Sequence, residues 1–170
     1  YPPQPRAFPA QDRLDYDETL QPIVAEGMLI VASAANDRVD GLDVETGEER
    51  WRFYAEGPVR FAPAYYNGHV YFASDDGYVY CLDRDEGTLN WKMNAAVGNR
   101  RILGNERFIS VRPCRAGPVI HDGVLYVAAG IWPFEGTYVY ALSPEDGSRI
   151  WINDGSGATW MNQPHGGATS

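Results

Sequence analysis

The chain has 170 residues, 23 acidic against 14 basic, for a net charge of −9. That balance disfavours a nucleic-acid partner, whose phosphates are held chiefly by Lys and Arg, and the longest apolar stretches, Met28 to Ala35 and Val124 to Trp132, are too short for a transmembrane segment of roughly 18 residues. Two cysteines cannot build a dense disulfide scaffold or a four-cysteine zinc site, while 18 Gly and 12 Pro point to a turn-rich, all-β chain.

Residues 1–21 carry Pro2, Pro3, Pro5 and Pro9 and then Asp12, Asp15, Asp17 and Glu18, which predicts an extended N-terminal arm. From residue 22 one pattern recurs three times. It opens with Pro and Gly five apart, at Pro22 and Gly27, Pro63 and Gly68, and Pro118 and Gly123. A β-rich run follows, M-L-I-V-A-S, H-V-Y-F-A-S or V-L-Y-V-A-A, and then V-x-x-L at Val39, Val79 and Val139. Each copy closes with Gly and Trp four apart: Gly47 and Trp51, Gly87 and Trp91, Gly147 and Trp151. Glu26-Gly27, Asn67-Gly68, Asp76-Gly77 and Asp122-Gly123 have the composition of hairpin turns with positive φ, so each copy is read as a meander of about four short strands. In the first copy Trp51 and Phe53 share one face of the last strand and Arg50, Arg52 and Tyr54 the other, the period of two of a half-buried strand.

The closing Trp residues lie 40 apart between the first two copies and 60 between the second and third, so a period near 40 is interrupted by insertions. A four-stranded unit of about 40 residues is the size of a β-propeller blade. The expected organisation is an arm over 1–21, blades over 22–59 and 60–91, an Arg-rich insertion over 92–117, a third blade over 118–161 and the start of a further connection over 162–170. Closure takes about four to eight blades, so three make an incomplete ring. The expected partners are therefore remaining blades, a second copy of the chain, or a protein bound at the rim.

The charge is unevenly spread. The insertion holds Lys92, Arg100, Arg101, Arg107, Arg112 and Arg115 against the single acid Glu106, a net +5, which leaves −14 for the rest of the chain. The guanidinium fork suits carboxylates and phosphates, so Arg100, Arg101, Arg107, Arg112 and Arg115 are candidates for an anionic ligand or partner, the alternative being pairing with the chain's own acidic blades. Arg60, in the connection between the first two blades, is a further candidate at the axis or as a pair to a neighbouring acid. Trp132 and Phe134, between Gly130 and Gly136, suggest an aromatic flap at the rim, and His165 belongs to the last connection.

No catalytic residue and no metal site is indicated. Asn36-Asp37 and Asp75-Asp76-Gly77 fall where hairpins must turn, and His69, His121 and His165 share no ligand spacing. Cys81 occupies the slot of Gly41 and Ala141, the place of a small buried residue, and its pairing with Cys114 is left open.

The strings G-L-D-V-E-T-G-E-E-R-W, C-L-D-R-D-E-G-T-L-N-W and A-L-S-P-E-D-G-S-R-I-W resemble the tryptophan-docking repeat of pyrroloquinoline-quinone (PQQ) enzymes and their non-enzymatic propeller relatives, over about residues 22 to 161. Glu86 and Asp146 replace Thr46, and Ser143 replaces Asp43 and Asp83. G-P-V-R-F-A-P, R-R-I-L-G-N-E-R-F-I-S and A-A-G-I-W-P-F-E-G are similar to large propeller proteins of planctomycete-type bacteria. The resemblance implies Trp51, Trp91 and Trp151 lying flat between blades, with Gly47, Gly87 and Gly147 in the turns that receive them. It also implies an extracytoplasmic location. The family's dehydrogenases hold PQQ with calcium against a vicinal cysteine pair, which this chain lacks. The expected function is thus a non-catalytic scaffold or binding platform without a cofactor. The alternative is part of a PQQ-dependent oxidoreductase whose catalytic residues lie in other blades, with PQQ and calcium bound in the complete propeller.

Overall fold

Three antiparallel sheets of four strands each, in sequential order, make up most of the molecule. The structure is a computed structural model and describes residues 20–104, 107–131 and 135–154. Most of the expected arm, Trp132 and Phe134 of the expected flap, His165 and the whole of 162–170 lie outside the described residues. The first sheet holds β1 (Ile23–Ala25), β2 (Met28–Ser33), β3 (Arg38–Asp43) and β4 (Glu49–Tyr54). The second holds β5 (Ala64–Tyr66), β6 (His69–Ala73), β7 (Tyr78–Asp83) and β8 (Leu89–Asn94). A separate hairpin follows, β9 (Arg101–Gly104) and β10 (Arg107–Ser110), and then the third sheet, β11 (Val119–His121), β12 (Val124–Ala129), β13 (Tyr138–Leu142) and β14 (Arg149–Asn153). The all-β expectation of three four-stranded blades holds. Strand β8 runs on to Asn94, past the closing Trp91.

The turns follow from their residues. Glu26 and Gly27, Asn67 and Gly68, and Asp122 and Gly123 take positive φ in pairs, as two-residue hairpin loops of this twist require. Each third strand then carries a bulge against the fourth, at Gly41/Leu42, Cys81/Leu82 and Ala141/Leu142.

The middle blade shows why its sequence is continuously apolar. Strand β6 alternates Val70 and Phe72 on one face with Tyr71 and Ala73 on the other, and β7 alternates Tyr80 and Leu82 with Val79 and Cys81. The first set packs with Met28, Ile30, Ala32, Val39 and Trp51 of the first blade. The second set packs with Leu125, Val127, Ala129, Tyr140 and Leu142 of the third. Both faces of one sheet are thus buried, each in its own inter-blade core. Phe72 and Tyr80 stack at 4.9 Å, and Phe53 of the first blade meets both rings edge-on. The outer strands β4 and β14 alternate or lie open, as the edge of a blade should.

Candidate functional site

Each seam between blades is fastened by a Trp and a Gly. The Trp51 indole lies between Gly41 of its own blade and Gly87 of the next; a Cβ on Gly87 would come within 2.5 Å of Trp51 Cδ2. Its Nε1 donates to the Arg84 carbonyl at 2.7 Å. The second seam repeats this: a Cβ on Gly147 would lie 2.7 Å from Trp91 Cε3, and Trp91 Nε1 donates to the Pro144 carbonyl at 2.9 Å. The outer flanks differ. Gly47 has nothing within 4 Å of where a Cβ would point, and Trp151 is 45% exposed where Trp51 is 7%.

The Arg-rich insertion lies over the β2–β3, β6–β7 and β12–β13 loops, where it reaches all three blades. Arg107 donates to Asp37 Oδ1 at 2.5 Å and to the Ala35 carbonyl, both in the β2–β3 loop. Arg115 grips Asp75 of the β6–β7 loop with Nε at 3.0 Å and Nη2 at 2.9 Å. The Ser110 amide donates to the Asp75 carbonyl and the Cys114 amide to that of Ser74. On the third blade Arg112 donates from Nε to the Glu135 carbonyl at 2.7 Å, its Nη2 lies 3.4 Å from the Glu135 carboxylate, and Arg100 Nη1 lies 3.5 Å from the same group. Arg112 also sits over the Tyr138 ring. Arg101 and Lys92 share Glu56, at 2.7 and 3.3 Å, and these two contacts hold its carboxyl below the usual carboxylate range.

Asp75 is the hub. It is fully buried, and Arg60, from the β4–β5 connection, adds a third guanidinium contact, Nε to Oδ2 at 2.7 Å. A buried carboxylate needs such pairing, since its desolvation otherwise costs several kcal/mol. Its neighbour Asp76 also lies inside the fold and accepts from the Tyr80 hydroxyl at 2.5 Å and the Tyr78 amide at 2.8 Å. Among the described residues no ion pair reaches Asp76, and burial pushes its carboxyl above the ordinary range. Asp37 is raised too, by burial that outweighs the opposing effect of Arg107.

The candidates thus sort by position. Arg60 and Arg115 meet on one carboxylate; Arg100 and Arg112 meet on another; Arg101 and Arg107 each bridge to the first blade or its connection. The acids that receive them, Asp37, Glu56, Asp75 and Glu135, are scattered along the sequence and share no spacing. The uneven charge was the only signal, and it names no partner. Both thiols are free and buried. Burial raises Cys81 to about 11 and Cys114 well above its ordinary value, so neither is a ready nucleophile.

The family model described as outer membrane protein assembly factor BamB matches residues 11–152. The chain belongs to this family of PQQ-like propellers. Quinoprotein alcohol dehydrogenase PedH of Pseudomonas putida is 25% identical, over 78% of this chain and 22% of its own length. The dehydrogenase subunit of a quinone alcohol dehydrogenase from Gluconobacter oxydans is 27% identical over 76% of this chain and 18% of its own. The chain therefore spans about a fifth of these curated relatives. Among solved structures, BamB from Moraxella catarrhalis superposes with a TM-score of 0.61 at 20% identity, over 78% of this chain and 39% of its own, a likeness of fold.

PQQ-like propellers of the dehydrogenase type imply a quinone with calcium, and the described residues do not fit that pair. The two cysteines are separate buried thiols, both Asp75 oxygens are taken by guanidinium groups, and among the described residues no three His, Cys, Asp or Glu side chains converge to hold a metal. No helix among them is long and apolar enough to cross a membrane.

Proposed function

We propose that these blades form a non-catalytic PQQ-like propeller module that acts as a binding platform in an extracytoplasmic assembly. The observation that carries this reading is the use of the insertion's charge. All six of its cations lie against the chain's own carboxylates, on three blades or their connections, so the insertion is a fixed clasp and not an open cradle for a free anion. Membership of a family described by an outer membrane protein assembly factor supports both the platform role and the location.

Among the described residues, the exposed Trp151 and the open Gly47 turn are the unmatched halves of the same seam. In this reading each flank takes a further blade or a second copy of the chain. The second reading, part of a quinone-dependent oxidoreductase with its catalytic residues in other blades, is favoured by the quinoprotein relatives.

Titration of the purified protein with PQQ and calcium tests the first reading. The platform reading expects no saturable quinone absorbance and no quenching of tryptophan fluorescence. Stoichiometric uptake of the chromophore would overturn it.

A further inference from the structure

The outer flanks carry, one half each, a seam that the molecule builds twice inside. In both internal seams the indole rests on a glycine of positive φ, Gly87 at +65° or Gly147 at +69°, and donates to the carbonyl of the residue three before it, Arg84 or Pro144. The first blade repeats the receiving turn. Gly47 has φ +74°, its amide is bonded to the Asp43 carbonyl as that of Gly87 is to Asp83, and the residue three before it is Val44. The Val44 amide is bonded to Gly27 as that of Arg84 is to Gly68. Among the described residues no indole reaches this turn. The third blade has one to offer in Trp151, which stands opposite Ala141 at the register that Trp51 has opposite Gly41.

The flanks also match where they depart from the internal seams. Two residues past the closing Trp the first blade has Phe53, set edge-on against Phe72 and Tyr80, and the second has Met93, packed in one apolar core with Val127 and Tyr140. Two residues past Trp151 stands the exposed Asn153. On the first blade the cross-strand pair Val31 and Asp40 takes the place of Phe72 and Tyr80. Asp40 is 8% exposed, its two oxygens held at 2.8 Å by Arg38 Nε and Arg52 Nε. A blade with Phe or Met at this place would press an apolar side chain onto a charged cluster. A carboxamide, donor and acceptor at once, suits both its carboxylate and its guanidinium groups. Around that spot both flanks are apolar and half-buried, with Leu29 and Val31 on the first blade and Val124, Tyr126 and Ala128 on the third.

We propose that a second copy of this chain covers both flanks. Trp151 of each copy seats on the Gly47 turn of the other, with Nε1 donating to the Val44 carbonyl, and Asn153 meets the Asp40–Arg52 pair. Both outer flanks replace an apolar contact by a polar one at the same register, which selects the chain's own opposite flank over a blade of the internal kind. Two copies of three blades make six, within the roughly four to eight that close a propeller, and a closed ring leaves no blade flank bare. Each flank joins the opposite flank of the other copy, a contact that closes after a half-turn into a two-fold pair. This deepens the platform reading and rests on it.

The test is light scattering on the purified chain across a dilution series, for the unaltered protein and for Trp151→Glu and Gly47→Asn. The first substitution removes the indole. The second brings in a side chain that tolerates the left-handed backbone and fills the seat of the ring. The unaltered chain is expected at twice its own mass, falling to the single mass on dilution. Each variant should weaken the pairing at least about tenfold, the scale of losing an interface anchor. Circular dichroism should stay unchanged, because Trp151 is half-exposed and the Gly47 turn open in the single chain. Mixing the two variants should restore a two-copy species, since one intact seam remains between Trp151 of one and Gly47 of the other. A single-chain mass at every concentration, a two-copy mass indifferent to both substitutions, or no recovery on mixing would overturn the proposal. If the chain stays single and takes up no quinone, only the second copy is lost as occupant; quinone uptake removes the platform reading itself.

Discussion

At Gly87 two demands meet that only glycine satisfies. Its φ is +65°, and the place of a Cβ is filled by the Trp51 indole. Gly47 has nearly the same backbone, φ +74°, but open space where a Cβ would point. Gly47→Ala should therefore cost only the left-handed backbone strain, about 1 kcal/mol, while Gly87→Ala adds displacement of the ring, about 2–4 kcal/mol in total by denaturant titration. Equal losses would mean that the ring does not rest on Gly87. Asp76 contributes to the pH dependence. Because burial raises its folded value, its contribution is fully present below the unfolded value near 4 and is lost as pH rises through the folded one. Asp76→Asn should flatten the fall of stability as pH rises from about 4, and an unchanged slope would contradict this. The glycines and tryptophans were legible in the sequence because they recur at fixed spacing. Asp75 was not: in sequence it is one of two adjacent acids at a turn, and only the fold turns Asp76 onto Tyr80 and Asp75 onto two arginines.

The strands themselves were readable, since period-two alternation and the paired turn residues mark both faces and ends. What alternation hides is that the middle blade is buried twice, Phe72 against the first blade and Tyr71 against the third. The seams should therefore be unequal in energy. Trp51→Ala removes a nearly buried indole and its bond to Arg84, a loss of about 3–5 kcal/mol. Trp151→Ala removes a half-exposed ring against Tyr126 and, in a sample dilute enough to hold single chains, should cost clearly less. Equal losses there would mean that Trp151 is covered within one chain. Where light scattering reads twice the chain mass, the second copy covers Trp151 and its loss should rise towards that of Trp51. The insertion was legible as a cationic segment only. Its contacts join residues as far apart as Arg107 and Asp37, 70 positions, and no local pattern encodes such a pair.

At the scale of the whole molecule, the uneven charge distribution becomes architecture. The insertion binds the first blade through Asp37, the second through Asp75 and the third through Glu135, and so ties three wedges together at one end while their apolar faces join them along the seams. The β9–β10 hairpin on that clasp carries Leu103 and Phe108 opposite each other. Amide hydrogen exchange tests the clasp most directly. The Ser110 and Cys114 amides, bonded to the Asp75 and Ser74 carbonyls, should exchange as slowly as those of β6 and β7. In Asp75→Ala they should exchange much faster, because the Arg60 and Arg115 contacts to this carboxylate are gone. Fast exchange of both amides in the unaltered protein, at rates typical of a surface loop, would contradict the clasp and the platform built on it.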